Sequence, residues 1–197
     1  MISIFDYGAG NLRSVENTLG AIGANYQLVR SPEEVRSSMK LILPGVGHFG
    51  QMMRAIDQLR VREALIEVIR KGVPFLGICL GLQALFEASE EAPDEHGLGI
   101  FKGHVKRFQG EMRIPHMGWN SLHRSKASRL LRGLGDHPYM YFANSYYAPV
   151  VRETAAACEY SLSFTAVLEK DNLFGVQFHP EKSGEAGLQI VRNFIES

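Results

Sequence analysis

The feature that most constrains this chain is Gly77-Ile78-Cys79-Leu80-Gly81, set between the apolar run Val73 to Ile78 and a stretch with helical periodicity. The spacing Gly-x-nucleophile-x-Gly in that setting predicts a strand, a tight turn and a helix, with one side chain pushed out over the sheet edge. A short continuous apolar strand that feeds a helix belongs in a parallel sheet covered on both faces, so the expected class is α/β. A cysteine in an apolar run is commonly just a small buried hydrophobe. Such a residue, however, needs no glycine on either side, whereas an elbow that brings strand and helix together does. A helix starting at Leu80 would also aim free N–H groups and a positive dipole end at Cys79, which favours thiolate.

A second run, Phe178-His179-Pro180-Glu181, closes the strand-like segment Leu173 to Phe178 one hundred residues after the cysteine. In an extended backbone residues i and i+2 point the same way, so Glu181 is expected to reach the far side of the His179 imidazole. Cysteine, histidine and an orienting carboxylate are the parts of an activated thiol. Read without Cys79, the same run is a surface turn with a solvated Glu181. Pro44-Gly45-Val46-Gly47 follows another apolar run, Leu41-Ile42-Leu43, and can turn backbone amides toward the elbow. With the amide of Leu80 it would make an oxyanion hole; a plain strand-to-helix turn accounts for it equally well. Asp6-Tyr7-Gly8-Ala9-Gly10-Asn11 invites a dinucleotide reading, but Arg13 stands where the third glycine would be, and we reject it. Neither Cys-x-x-Cys nor His-Glu-x-x-His occurs, so no metal site is expected.

Composition narrows the class further. Lysine plus arginine equals aspartate plus glutamate at 21 each, so a net charge of zero gives no electrostatic case for nucleic acid or an anionic membrane. Two cysteines, Cys79 and Cys158, make no disulfide framework and suit a reducing compartment. No apolar run approaches the roughly 20 residues that span a bilayer, and the N-terminus lacks the pattern of a signal peptide. A cytoplasmic protein is expected.

Along the chain, Met1 to Phe5 reads as a strand. A helix follows through Leu12, Val15, Leu19 and Ile22, with Asn11 as N-cap and Gly23 as stop. Tyr26 to Arg30 reads as a strand and Ser31-Pro32-Glu33-Glu34 as a capping box. Leu41 to Leu43 is a short strand broken by Pro44. A helical region covers Phe49 to Lys71 with an interruption near Leu59, and a helix is expected from Leu80 to about Ala88. After Glu87 the chain changes character. The acidic loop Glu90 to Glu95 reads as solvated surface. Strand candidates at His104 to Phe108, Tyr139 to Tyr147, Ala155 to Tyr160 and Ala166 to Glu169 suggest antiparallel additions to the parallel core, and a final helix covers Glu185 to Glu196. Cys158 reads as packing.

The motifs Pro44-Gly45-Val46-Gly47, Gly77-Ile78-Cys79-Leu80-Gly81-Leu82-Gln83 and Gly175-Val176-Gln177-Phe178-His179-Pro180-Glu181 together resemble those of the class I glutamine amidotransferases, in the same order. Asp6 to Val15 and Ile114-Pro115-His116-Met117-Gly118-Trp119-Asn120 resemble the branch that provides glutaminase subunits of imidazole glycerol phosphate synthases. The resemblance spans essentially the whole chain. It implies one glutaminase domain over residues 1–197, folded as a three-layer sandwich around a central mixed, mostly parallel sheet with a flavodoxin-like core. It implies Cys79 as nucleophile, His179 as base and acid and Glu181 as its orienter, with Val46, Gly47 and Leu80 at the oxyanion hole. Gly45, Gln83, Ser145 and Tyr146 would bind glutamine; Asn144 departs from the branch, where histidine is common. No cofactor is implied. The implied partner is a cyclase subunit, a (β/α)₈ barrel joined as a heterodimer, which takes ammonia to make imidazole glycerol phosphate and an aminoimidazole carboxamide ribotide. Gly8, Asn11 and Arg13 on one turn and Met117, Trp119 and Asn120 on a loop are the expected docking face, with a buried core position as the other reading of Trp119. Three alternatives stand beside this: an amidotransferase serving another acceptor, a peptidase or γ-glutamyl hydrolase with the same triad, and a silent binding module in which Cys79 is structural.

Overall fold

The computed structural model describes residues 1–9 and 11–197; Gly10 of the glycine-bearing N-terminal turn lies outside the described residues. The chain begins β1 (Ile2–Phe5), α1 (Leu12–Ala21), β2 (Tyr26–Val29), α2 (Pro32–Arg36), β3 (Leu41–Gly45), α3 (Phe49–Gln58), α4 (Arg62–Arg70), β4 (Phe75–Cys79) and α5 (Leu80–Gln83). It continues β5 (Phe86–Ser89), β6 (Phe101–Arg107), β7 (His116–Ser121), β8 (His123–Arg124), β9 (Tyr139–Asn144), β10 (Tyr146–Tyr147), β11 (Thr154–Tyr160), β12 (Leu162–Lys170), β13 (Leu173–Val176) and α6 (Gly184–Glu196).

Eight strands form one sheet in the order β2-β1-β3-β4-β13-β12-β11-β8. Pairing is parallel from β2 to β13 and antiparallel from β13 to β8. The central strands are apolar on both sides, and strand alternation sends each set to a different core. Ile4, Ile42, Leu76, Ile78 and Val176 pack with Val15 and Leu19 of α1 and Ile190 and Phe194 of α6. Phe5, Leu43, Phe75 and Leu173 pack with Met52 and Ile56 of α3 and Leu65 and Val68 of α4 on the opposite face. The result is the expected three-layer α/β sandwich.

Local signals explain the boundaries. Ser31 Oγ accepts from Glu34 N at 3.2 Å while Glu34 Oε2 accepts from Ser31 N at 2.9 Å, so the capping box opens α2 as expected. Asn11 sits at the N-cap of α1, but its Oδ1 accepts from the Ser14 hydroxyl instead of a backbone N–H. Residues 59–61 break the helical region, with Arg60 at φ +57.

Three expectations about elements need correction. β3 runs through Pro44 to Gly45; β1 pairs with it only at Leu41 and Ile42, so a proline beyond them removes no bond to β1. The helix at Leu80 ends after one turn, at Gln83, and Phe86 to Ser89 is a strand. The backbone carbonyls of Ala84 and Leu85 instead accept from Leu98 and from Ile100 and Phe101. Finally, Met117 to Asn120 is not a loop but part of β7, paired antiparallel with β9.

Candidate active site

The parallel strands end together, and the register of β3 on β4 sets Gly45 beside Cys79. The carboxyl edge of such a sheet is where an open α/β fold presents its chemistry. Cys79 terminates β4 with φ +53 and ψ −105, a conformation an L-residue holds only when its surroundings force it. Neighbouring glycines permit the close packing that holds it there. A Cβ on Gly77 would come within 2.5 Å of the Gly81 carbonyl oxygen, one on Gly45 within 2.7 Å of Leu80 Cβ, and one on Gly81 would land on the Leu43 carbonyl. The elbow is therefore packed backbone against backbone. Because α5 is a single turn, the dipole expected to act on Cys79 is small, and side chains carry most of the electrostatics.

His179 and Glu181 arrive from the end of β13, and both are almost completely buried. His179 is extended, but Glu181 lies in a 3₁₀ turn (Pro180–Lys182), not in a continuing strand. That turn brings the Glu181 carboxylate back onto the ring, where His179 Nδ1–H donates to Oε1 at 2.8 Å. The remaining ring nitrogen is left for the Cys79 side, and the thiol acts on the imidazole from there. Burial pushes the imidazolium down, but the hydrogen bonds and negative charge of Cys79 and Glu181 outweigh it and lift His179 to about 10. The backbone behind His179 is pinned as well: its N–H donates to the Tyr141 carbonyl of β9 at 2.9 Å, and its carbonyl accepts from Ser183 Oγ at 2.7 Å.

A cavity of about 340 Å³ opens above this pair, lined by Val46, Gly47, Cys79, Leu80, Gln83, Ser145, Tyr146 and His179 from the expected site residues, and also by Met117, expected at the docking face. Gly45 is not among its walls; it lies beneath, tight against Leu80. Asn144 does line the cavity, donating from Nδ2 to the Tyr146 carbonyl at 2.9 Å while its Oδ1 has no partner among the described residues.

Besides the wall residues Pro115 and Ala143, three polar residues in or beside the cavity were missed in the sequence. Glu91 reaches it from the acidic loop, its Oε2 accepting from Phe49 N at 2.7 Å, so that loop is not simply solvated surface. Gln177 donates from Nε2 to Cys79 Sγ at 3.6 Å. Its place two residues before His179 was the available signal. Tyr7 hydrogen-bonds Val46 from the β1–α1 turn. Nothing in the pattern of residues 90–95 distinguishes Glu91 from its acidic neighbours.

The residues expected at a docking face divide. Trp119 is 55% exposed and Met117 62%, which excludes the core reading of Trp119. Trp119 pairs across the ribbon with Tyr141, the rings edge to face at 6.1 Å. Asn120 is turned inward, donating to the Glu159 carbonyl at 2.9 Å. Gly8 and Arg13 are exposed and Asn11 is half-buried. Among the described residues no helix is long and apolar enough to cross a membrane.

Residues 3–197 match the profile of the family described as Glutamine amidotransferase class-I. The chain is 46% identical over 196 residues to the imidazole glycerol phosphate synthase subunit HisH of Desulfitobacterium hafniense strain Y51, covering 98% of this chain and 93% of that one. To the subunit of the same name from Methanothermobacter thermautotrophicus it is 47% identical over 197 residues, covering 100% and 98%. In fold it is similar to a crystal structure of a glutamine amidotransferase (TM-score 0.77, 18% identity, 99% and 97% covered). It is equally similar in fold to PurLQS from Thermotoga maritima (TM-score 0.77, 16% identity, 99% and 97% covered).

Proposed function

This chain belongs to the class I glutamine amidotransferases, and from that premise we propose that it is the glutaminase subunit of an imidazole glycerol phosphate synthase, acting as one domain through Cys79, His179 and Glu181. The observation that carries the reading is the alignment of these three. A strained cysteine faces one side of a buried imidazole whose other side is held at 2.8 Å by a buried carboxylate.

Each step then follows from the groups at hand. Cys79 Sγ, as thiolate, attacks the side-chain carbonyl carbon of glutamine. Negative charge moves to the carbonyl oxygen, toward the amides of Leu80 and Gly47, where one donor is typically worth a hundredfold to a thousandfold in rate. The C–N bond breaks as His179 gives its proton to the departing nitrogen, releasing ammonia and leaving a glutamyl thioester. His179, now neutral, takes a proton from water as it adds to the thioester; the C–S bond breaks, and glutamate leaves with the thiolate–imidazolium pair restored. Gln83, Ser145 and Tyr146 line the cavity as contacts for the substrate's polar end. Glu91 is the one acidic wall residue among the described residues, and its carboxylate suits the substrate ammonium.

Ammonia released into water would be protonated and lost, so delivery to a cyclase partner is part of the proposal. The exposed side of the β7–β9 ribbon, with Met117 and Trp119, and the Gly8–Arg13 turn are the docking face. The ribbon lies next to the site: Tyr141, opposite Trp119, holds the His179 N–H.

The test is glutamate release from glutamine by wild type and Cys79→Ala, with and without a (β/α)₈-barrel cyclase and its nucleotide ligand. Partner-dependent release that vanishes in the variant supports the whole reading. Partner-independent release keeps the triad and redirects the acceptor, and release that survives Cys79→Ala overturns the mechanism.

A further inference from the structure

Gln177 is completely buried two residues before His179, and its amide stands within N–H···S reach of the nucleophile. The polarity of that amide is settled by a chain of contacts that begins at the backbone. The carbonyl of Tyr146 can only accept, so the Gln83 amide 2.9 Å away must present Nε2 to it. The same Nε2 is 3.1 Å from the Gln177 side chain, which must therefore present Oε1. The Nε2 of Gln177 is then the end that faces Cys79 Sγ at 3.6 Å. From these directions we propose that Gln177 donates a hydrogen bond to the Cys79 sulfur, selecting its thiolate form and aiming it, and that Gln83 sets the polarity of that donor.

The chemistry favours the arrangement. A donor facing sulfur stabilises the charged form more than the neutral one. The titratable groups facing Cys79 are His179 with Glu181 behind it, Tyr7 on the β1–α1 turn, and Glu91 in the wall of the same cavity. Of these only His179 carries a positive charge, and it must also move protons during turnover. Gln177 cannot titrate, so its donor stays in place through every step. The two roles are thereby divided: His179 exchanges a proton with the substrate, and Gln177 holds the sulfur.

The proposal rests on the reading of Cys79 as nucleophile, and the experiment separates the two. The rate of iodoacetamide alkylation of the Cys79 peptide, followed by mass spectrometry on the full chain as a function of pH, reports the thiolate midpoint. Gln177→Met keeps the length and removes the donor; its midpoint is expected to rise by about one to two pH units, the equivalent of one charged hydrogen bond. Gln83→Met, at the cavity wall, frees the Gln177 amide to turn and is expected to raise the midpoint as well. An unchanged midpoint in folded Gln177→Met, or in Gln83→Met if the first variant does not fold, overturns the proposal. Glutamate release by wild type with the cyclase, measured alongside, tests the glutaminase reading independently of where these midpoints fall.

Discussion

The hydroxyl of Tyr7 lies 3.3 Å from both the backbone nitrogen and the backbone oxygen of Val46, so one side chain accepts from and donates to the same residue. Burial pushes the phenol up to about 12, which keeps it a neutral donor at any working pH. The Val46 oxygen belongs to the peptide whose nitrogen is Gly47, and in a trans peptide that N–H points away from the carbonyl. Holding the oxygen therefore sets the direction of the proposed oxyanion donor. Tyr7→Phe is expected to lower kcat for glutamate release by about tenfold, the scale of one hydrogen bond, with KM nearly unchanged. Steady-state kinetics decide it: a raised KM at constant kcat would place Tyr7 in ground-state binding instead.

Stability should carry the signature of the His179–Glu181 pair. The folded imidazolium is raised from 6.5 to about 10, because Cys79 and Glu181 outweigh burial. A raised pKa contributes stability that is fully present below about 6.5 and is lost as pH rises through about 10. Glu181→Gln removes the charge and keeps the shape. The gap in urea midpoint between wild type and this variant is expected to be wide near neutral pH and to narrow on the alkaline side. A gap independent of pH would mean that Glu181 acts only through packing.

His116 should impose the opposite dependence. It is stacked between Tyr160 (3.9 Å between ring centroids) and Phe142 (4.9 Å), its Nδ1 has no partner among the described residues, and burial lowers it to about 4. A histidine buried neutral contributes stability above its unfolded value of about 6.5, and this is lost as pH falls through about 4. His116→Phe keeps a stacking ring and removes the proton site. Urea titrations at successive pH values from neutral to about 4 are expected to show a smaller acid loss in the variant. Identical pH profiles would assign the acid sensitivity to other groups.

The glycines make a sharper comparison. A methyl on Gly81 meets the Leu43 carbonyl, whereas one on Gly8 meets nothing within 4 Å among the described residues and only strains a backbone at φ +88. Gly81→Ala is expected to cost about 3 kcal/mol through overpacking and to abolish turnover. Gly8→Ala should cost about 1 kcal/mol. Equal losses in chemical denaturation would contradict the account of the elbow.

Trp119→Ala tests the docking face. An exposed aromatic at the centre of an interface typically contributes about 2 kcal/mol or more, roughly a thirtyfold change in Kd. Calorimetric titration with the cyclase is expected to show that loss without a fall in Tm. Unaltered affinity would move the interface off the β7–β9 ribbon.

Much of this molecule was legible in its sequence, for reasons visible at particular residues. The Ser31–Glu34 capping box, the break near Leu59 and the elbow at Cys79 depend on a few neighbours, and local chemistry decides them. The length of α5 did not, because Leu80, Leu82, Ala84, Leu85 and Phe86 are all buried and an apolar run carries no period to separate helix from strand. Its end is set by residues 98–101, which take the backbone bonds. β7 was hidden for the reverse reason, since Met117 and Trp119 are exposed and its inward side is largely one histidine. Glu91 reaches the cavity only through a tertiary contact with the start of α3.

The position of β13 bears on how the chain is made. It is the last strand to leave the ribosome, yet it lies in the interior of the sheet, between β4 and β12. A nascent chain that has folded as far as β4 therefore has an unfilled edge exactly where Cys79 is carried, and neither His179 nor Gln177 has yet been synthesised. In the proposed mechanism Cys79 therefore has no general base until the C-terminal segment inserts. That open edge is also the place where a chaperone would bind, or where two unfinished chains would pair by mistake.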